Sequence, residues 1–325
     1  MPDLTAIETA RGDLSEHPAM QAWSDLLPSQ VQPVEIQKLK RNKKSAIYRL
    51  TGAGPGGSAI IAKRCLAGTG MIERRIYEQI LPRLAVPALR FFGFVEDREA
   101  EFCWLFIEDA GAELYLPELA AHRAAAARWL ALLHTSAVGL EAAARLPGRG
   151  PGFYQEHLRL ARDNIVKAFA NPALKADEQG VLEGIVAQCD FLDSRWNQVN
   201  ALCQGMPPTF VHGDLKAKNI RVRHTSQGIA VLPFDWEIAG WGVPAVDLLK
   251  CPDLAIYWAE AQVHWPDLKL RELERLAELG ELFRALIAIY WKSLALIYEW
   301  VEWPVEKLRL YRAKLAECIQ SLGLE

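Results

Sequence analysis

The fold and the chemistry of this chain are indicated most sharply by two short stretches, FVHGDLKAKN at residues 210–219 and FDWE at residues 234–237. Thr209–Val211 alternates like a strand, and residues 220–234 read as two further strands joined by a turn at Thr225–Gly228. A hairpin there reverses the chain. We therefore expect it to bring Asp235 back beside Asp214 and Asn219.

These three side chains suit phosphoryl transfer. The amide oxygen of Asn219 and the carboxylate of Asp235 are hard ligands of the kind that Mg²⁺ takes alongside water and phosphate oxygens. Asp214, set slightly aside, is able to accept a proton from a substrate hydroxyl. A lone His-Gly-Asp is also typical of a tight turn with a capping aspartate, but the joint pattern is hard to obtain by chance.

Bulk properties exclude several classes of protein. The 325 residues are enough for two lobes, and 37 Lys plus Arg against 40 Asp plus Glu give a net charge of −3. A general nucleic-acid binder needs a basic excess, so we expect no nucleic-acid partner. The six cysteines include no CxxC pair, and neither a signal peptide nor a membrane span is evident. A cytoplasmic protein is expected.

The order of elements predicts an α+β fold in two lobes. A short helical extension at His17–Leu27 precedes strands, one helix and more strands, and after Glu108 the chain becomes mainly helical. We place a small strand-rich nucleotide-binding lobe at residues 1–107. A larger, mainly helical lobe with the catalytic and acceptor sites follows at residues 108–325.

The pattern His-Gly-Asp-x-x-x-x-Asn, followed by a hydrophobic strand and Asp-Trp-Glu, resembles the aminoglycoside phosphotransferase and choline kinase families, which share the protein-kinase-like fold. The resemblance implies a bilobal kinase fold with Asp214 as catalytic base and Asn219 and Asp235 as metal ligands. It also implies that Lys216 touches the transferred phosphate. Asp247 resembles the family's later aspartate that braces the loops.

A kinase-like site also needs a strand lysine for the nucleotide phosphates and a helix glutamate that holds it. Lys63, at the end of a predicted strand, is the candidate lysine. The resemblance to the family's Glu-x-x-x-Tyr helix favours Glu73 as its partner, with Glu78 as the alternative.

The loop over the nucleotide phosphates departs from the family pattern. Residues 40–46, Lys-Arg-Asn-Lys-Lys-Ser-Ala, contain no glycine. Four cations with Asn42 and Ser45 could hold phosphates by charge and backbone N–H groups, although a solvated basic turn is as compatible with the pattern. The glycines at residues 52–57 lack the Gly-Lys-Ser/Thr of a P-loop.

The segment between the lobes is expected to bind the base. In the kinase-like fold an adenine or guanine would hydrogen-bond to the backbone around Phe106 and Ile107, and the sequence does not choose between ATP and GTP. His134 is expected to pack beneath the catalytic loop as a core histidine.

The acceptor is the least defined part of the prediction. A hydroxyl-bearing antibiotic such as an aminoglycoside leads, with a choline-like amino alcohol or a sugar as the alternative. Acidic and aromatic candidates for its pocket, which are equally compatible with core positions, are Glu237, Asp253, Tyr257, Trp258, Glu260, Trp291, Tyr298, Glu299 and Trp300.

Two other classes compete with a small-molecule kinase. A non-catalytic kinase-like nucleotide-binding protein would be expected to lack one of Lys63, Asp214, Asn219 or Asp235. A protein kinase would carry Ala-Pro-Glu after Asp235 and an arginine before the base, and this sequence has neither.

Overall fold

The computed structural model describes residues 8–27, 32–42, 44–97, 101–249 and 253–324. Its strands are β1 (Thr9–Arg11), β2 (Glu35–Arg41), β3 (Ser45–Thr51), β4 (Ile60–Leu66), β5 (Phe91–Glu96), β6 (Phe102–Glu108), β7 (Gly148–Arg149), β8 (Thr209–Val211), β9 (Ile220–Thr225), β10 (Gly228–Pro233) and β11 (Gly240–Gly242). Its α-helices are α1 (Pro18–Leu26), α2 (Ala67–Arg75), α3 (Ala120–Ser136), α4 (Glu141–Ala144), α5 (Pro151–Ala168), α6 (Ala176–Ser194), α7 (Trp196–Leu202), α8 (Ala245–Leu249), α9 (Leu254–Ala261), α10 (Leu270–Ser293) and α11 (Glu302–Ser321).

Contacts divide the chain into two units, Met1–Ala125 with Lys216–Ile238, and Ala126–Leu215 with Ala239–Glu325. This division differs from the predicted boundary after residue 107. The hairpin β9–β10 belongs to the first unit because its first strand contacts the segment after β6. Leu114 forms a bridge with Arg221, and Val222 donates its backbone N–H to Glu113 at 3.2 Å.

A six-stranded antiparallel sheet in the order β1-β2-β3-β4-β6-β5 forms the body of the first unit. Alternation along β4 sends Ile60 and Ala62 to one face and Ile61, Lys63 and Cys65 to the other. The first face is covered by α1, whose Trp23 packs against Phe106 with ring centroids 5.1 Å apart.

The second face of the sheet carries α2. Cys65 and Cys103 pair across β4 and β6, and their sulfur atoms lie 3.8 Å apart. Gly70 of α2 sits directly above them, because a Cβ at this position would lie 2.0 Å from the sulfur of Cys103. The close approach of α2 to the sheet positions the glutamate at its far end.

The second unit is built on packed helices. α10 packs against α5, α8 and α11, and α6 packs against α5 and α11. Tyr154 of α5 stacks on Phe283 of α10 at a centroid distance of 3.8 Å, and both side chains are buried. A small sheet in the order β7-β11-β8 lies in the same unit. Within the described part of the chain, no helix combines the length and apolar character that a membrane crossing requires.

Candidate active site

The side chain of Lys63 is the centre of the site in the first unit. Its ammonium group donates to a carboxylate oxygen of Glu73 and, at 2.5 Å, to Oδ1 of Asp235. Strand β4 holds the lysine on the face that carries α2, and only 7% of its surface is exposed. The structure therefore brings together three of the residues that the sequence singles out.

Helix α2 supplies the glutamate partner. Glu73 lies in its last turn and is 1% exposed, whereas Glu78 forms a helical ion pair with Arg74 at 3.1 Å. Of the two predicted partners, Glu73 is the one that contacts Lys63. A single π-helical turn, Ile76–Ile80, follows α2 directly, an irregularity that is frequent at functional sites.

The electrostatics of this cluster keep Lys63 charged. Burial alone would lower the pKa of Lys63, but the carboxylates of Glu73 and Asp235 outweigh it and raise that pKa above its ordinary value. Burial raises the pKa of Glu73, and the charge of Lys63 opposes this shift. The charged state of Lys63 thus depends on both carboxylates. Glu73 comes from the helix that follows β4, and Asp235 comes from a loop that is distant in sequence.

Asp235 follows strand β10 in a strained backbone conformation. Its φ of 71° makes it the only non-glycine residue with a positive φ among the described residues, and such strain tends to occur at functional sites. Pro233 pairs with Ile220, and Phe234 donates its N–H to the carbonyl of Asn219 at 3.0 Å. The hairpin therefore closes next to Asn219, as predicted, and returns the chain to Asp235.

The oxygen-rich side of this cluster fits a divalent cation. Carboxylate oxygens of Glu73, Asp235 and Glu237 lie within 4.8 Å of one another, and Asn219 is 97% buried at the base of the same hairpin. Hard oxygen donors of this kind suit Mg²⁺. The sequence places Glu237 among the acceptor candidates. In the structure Glu237 belongs to the acidic group around Lys63. Its position two residues after Asp235 is the sequence feature that could have indicated this.

The His-Gly-Asp loop lies in the second unit, where a buried aspartate fixes its backbone. Asp247, on α8, accepts the N–H of His212 at 2.7 Å and the N–H of Gly213 at 2.9 Å. Gly213 has a φ of 78°, a conformation that costs other residues energy. The loop is thereby held rigid immediately before Asp214, whose own N–H donates to Nδ1 of His212 at 3.3 Å.

His134 contributes to the same support. Its side chain is fully buried, with Nδ1 2.9 Å from the hydroxyl of Tyr257 and Nε2 3.4 Å from Oδ2 of Asp247. Thr209, at the start of β8, donates its hydroxyl to the His134 carbonyl at 2.5 Å. This histidine packs in the core beneath the loop, as expected.

The predicted base-binding residues, Phe106 and Ile107, lie on the central part of the sheet in the first unit. Phe106 pairs with Ala62 on one side and Gly93 on the other, and Ile107 pairs with Ile61 and Phe91. Their backbone groups lie inside the sheet, and the Phe106 side chain is fully buried in the α1 core. A role of Phe106 and Ile107 in binding the base stays a prediction.

The glycine-free loop between β2 and β3 is organised by Asn42. Its side-chain oxygen accepts the N–H groups of Lys44 and Ser45, both at 2.8 Å, and lies 3.3 Å from the Ser45 hydroxyl. Two of the N–H groups expected to meet phosphate are therefore used within the turn. Lys43 lies outside the described residues.

Lys216 precedes the short turn that ends at Asn219 and is half-buried.

Several acceptor candidates have structural roles instead. Asp253 caps α9 by accepting the N–H of Ile256 at 3.1 Å, and Tyr257 is fully buried. Trp258 donates to the carbonyl of Leu268, and Glu260 pairs with Arg128. These contacts account for the four residues without an acceptor, and their part in an acceptor pocket stays a prediction.

Comparison with solved structures gives the fold independently. An aminoglycoside phosphotransferase, APH(2″)-IIIa, in its complex with GDP and kanamycin is 14% identical, with a TM-score of 0.61 over 90% of this chain and 97% of that one. Choline kinase from Cryptosporidium parvum Iowa II is 10% identical, with a TM-score of 0.59 over 89% and 90%. Plasmodium vivax ethanolamine kinase is 14% identical, with a TM-score of 0.53 over 89% and 83%.

These likenesses establish the bilobal kinase-like fold that the sequence predicts. No curated protein matches the chain in sequence. The family profile described as the phosphotransferase enzyme family matches residues 36–288, which include both Lys63 and the whole of the His-Gly-Asp region. The chain therefore belongs to the phosphotransferase enzyme family and is a small-molecule kinase.

Proposed function

We propose that this enzyme transfers the γ-phosphoryl group of ATP or GTP to a hydroxyl group of a small molecule, with Mg²⁺ as cofactor. The observation that carries the proposal is the buried Lys63, held between Glu73 and Asp235. A lysine fixed in this way presents a permanent positive charge to nucleotide phosphates, and the neighbouring carboxylates supply oxygen ligands.

The first unit would bind the nucleotide. Lys63 contacts its α- and β-phosphates, and the turn with Ser45 lies over them. Asn219 and Asp235 would hold the cation, with Glu237 near enough to contribute through water. When bound, Mg²⁺ neutralises the charge on the phosphate oxygens.

The base is proposed to contact the first backbone groups beyond β6 rather than Phe106 and Ile107. The segment at Asp109 is tethered, because Arg49 donates to its carboxylate at 2.6 Å. A segment tethered in this way would hold its backbone in a fixed position for the recognition of a purine edge. Titration with ATP and GTP decides which purine is bound.

Asp214 is proposed as the general base. It follows a loop whose two preceding N–H groups are held by Asp247, so its backbone is fixed in direction. A positioned carboxylate that accepts the acceptor's proton contributes roughly 10²–10⁴-fold to the rate. Lys216, two residues further on, is proposed to contact the phosphoryl group during transfer.

For the acceptor, the names of the structural neighbours suggest two classes, an aminoglycoside antibiotic and an amino alcohol. Both stay within the proposal, together with sugars, because each offers a hydroxyl group. A non-catalytic nucleotide-binding protein is disfavoured, because Lys63, Asp214, Asn219 and Asp235 are all present.

Calorimetric titration with ATP and GTP tests the nucleotide site. We expect binding in the presence of Mg²⁺, loss of most affinity with EDTA, and a similar loss in Asp235→Asn. Asp97→Asn is the matched control. Asp97 pairs with Arg64, the residue after Lys63 on β4, and the side chains of Asp97 and Asp235 are both 27% exposed. Equal binding by both variants, with and without EDTA, would show that Asp235 holds no cation.

A further inference from the structure

A cavity of about 860 Å³ lies in the first unit, between helix α1 and the six-stranded sheet. Its volume falls within the range of about 300–1,000 Å³ that small-molecule sites occupy. Side chains of α1, of β1 and of the turn between β2 and β3 form its walls. Neighbouring strands of the sheet supply its floor, which includes Ala46, Tyr48, Arg64, Val95 and Trp104. We call this space the α1 cavity.

The α1 cavity lies on the opposite face of the sheet from Lys63. Arg64 follows Lys63 on β4, and consecutive residues of a strand point to opposite faces. Arg64 lines the cavity, and it pairs with Ala46 of β3 on one side and with Trp104 of β6 on the other. The floor of the α1 cavity and the proposed nucleotide site are therefore separated by the sheet itself.

Two buried aromatic side chains bring polar groups to the floor of the α1 cavity. Trp104 is 4% exposed and Tyr48 is 9% exposed, and their ring centroids are 6.0 Å apart. Within the part of the chain that the structure describes, neither the indole N–H of Trp104 nor the hydroxyl of Tyr48 has a hydrogen-bond partner. Polar groups on side chains as buried as these normally have one. A ligand in the cavity would supply it.

The charged side chains of the α1 cavity are of both signs. Two ion pairs, Lys38 with Glu8 and Arg64 with Asp97, neutralise part of the lining, so these two cations are not available to a ligand. Three further charged side chains line the cavity without an ion-pair partner among the described residues, namely Arg41, Asp25 and Glu96. Two carboxylates against one guanidinium leave a small negative excess, which disfavours an anionic ligand.

The available polar groups include both donors and acceptors. The N–H groups of Trp104 and Arg41 donate hydrogen bonds, whereas the carboxylates of Asp25 and Glu96 accept them. The hydroxyl of Tyr48 does both. A ligand hydroxyl also donates and accepts, so a molecule with several hydroxyl groups can satisfy every member of this set without carrying a charge.

We propose that the α1 cavity binds a neutral ring compound rich in hydroxyl groups, of the class of mono- and disaccharides. The hydroxyl of Tyr48 and the indole N–H of Trp104 form hydrogen bonds with it at the floor, and Asp25 accepts from it at the wall. This molecule is distinct from the acceptor of the proposed phosphoryl transfer, because it binds on the face of the sheet opposite Lys63. The inference goes beyond the proposed function and does not depend on it.

Ligand-observed NMR titration of the full chain tests the chemical class. The neutral probes are glucose, N-acetylglucosamine, maltose and cellobiose, and the anionic probe is glucuronate, which differs from glucose at one carbon atom. We expect at least one neutral sugar to bind at millimolar concentration or below. Glucuronate should bind at least about twofold more weakly than the tightest neutral sugar, within the range of one interaction between solvent-exposed charges.

Variants assign the binding to the α1 cavity. Tyr48→Phe should weaken the tightest sugar about two- to tenfold, the range of one hydrogen bond, and should leave the urea midpoint of unfolding unchanged because the hydroxyl has no partner within the described chain. Asp25→Ala, on the exposed side of α1, should weaken the same sugar by a similar factor. Tyr311→Phe is the matched control, since the Tyr311 hydroxyl on α11 also forms no hydrogen bond within the described residues. It should change neither quantity.

Four results would overturn the inference. No neutral sugar binds at millimolar concentration, or glucuronate binds as tightly as the best of them. Tyr48→Phe and Asp25→Ala leave the dissociation constant unchanged, which would place the sugar elsewhere, for example at the acceptor site. Tyr48→Phe lowers the urea midpoint, which would show that the hydroxyl bonds within the protein. Nucleotide binding with Mg²⁺ does not enter these measurements, so failure of the proposed function leaves their outcome unaffected.

Discussion

Replacing Lys63 by methionine would leave a carboxyl group buried without its cation. Glu73 is 1% exposed and Lys63 7% exposed, so water cannot take the place of the missing charge. Breaking a buried ion pair by removing one partner costs about 3–5 kcal/mol. We expect Lys63→Met to lower the free energy of unfolding by about that amount near pH 8. Asp235 adds less, because 27% of its side chain is in contact with solvent.

The pH dependence of this loss carries the specific signature. Burial already raises the pKa of Glu73, and Lys63 opposes the shift, so the variant's Glu73 has a still higher pKa. The unfolded chain titrates near about pH 4.3. The pKa of Glu73 in this variant is higher in the folded state than in the unfolded state. The stability that the protonated carboxyl group provides is therefore complete below the unfolded-state pKa, and it is lost as the pH rises toward the folded-state pKa. Over that window the variant should lose about 1.4 kcal/mol per pH unit.

The double variant Lys63→Met/Glu73→Gln is the control, since it lacks the titrating carboxyl group. Urea denaturation followed by tryptophan fluorescence, repeated between about pH 5 and pH 8, gives both curves. The single variant should lose stability with rising pH relative to the double variant. Parallel curves would show that Glu73 is protonated or solvated regardless of Lys63, and that Lys63 does not hold its charge.

Three further predictions concern the loop and the sheet. Asp214→Asn should reduce kcat by about 10²-fold or more while the calorimetric affinity for nucleotide stays within error; an unchanged kcat would exclude Asp214 as the base. Asp247→Asn should lower the free energy of unfolding by about 2–4 kcal/mol in urea, because one amide oxygen cannot replace two acceptors facing two N–H groups. Gly70→Ala should cost about 1–3 kcal/mol by overpacking, and Cys103→Ala in the same chain should recover much of that cost. If Cys103→Ala recovers no stability, the methyl group added at position 70 clashes with an atom other than the Cys103 sulfur.

The parts of the site that were predictable share a local pattern. Asn219 and Asp235 flank two alternating strands joined by a turn, so the sequence alone predicts that the two residues lie near each other. Lys63 and Glu73 lie on a strand and on the helix that follows it directly. In each case short-range periodicity and the family's motif indicate the same residues, and the structure brings them together.

The rest depends on contacts that no local pattern encodes. Phe106 and Ile107 read as a strand running into a linker, but whether their backbones stay free depends on β5 pairing along the other edge of β6. The acidic residues near the C-terminal helices were ambiguous for the same reason, and Asp253 and Glu260 proved to be a cap and an ion-pair partner.

Assay of the transfer reaction itself tests both the proposed activity and the role of Asp214. Wild-type enzyme and Asp214→Asn are incubated with Mg²⁺ and γ-labelled ATP or GTP, together with an aminoglycoside, choline, ethanolamine and a sugar. We expect wild-type enzyme to form a labelled phosphate ester in equal amount to the nucleoside diphosphate released, and the variant to form almost none. Nucleotide binding by both proteins with no ester from either would exclude phosphoryl transfer to these acceptors, and equal ester from both would exclude Asp214 as the base.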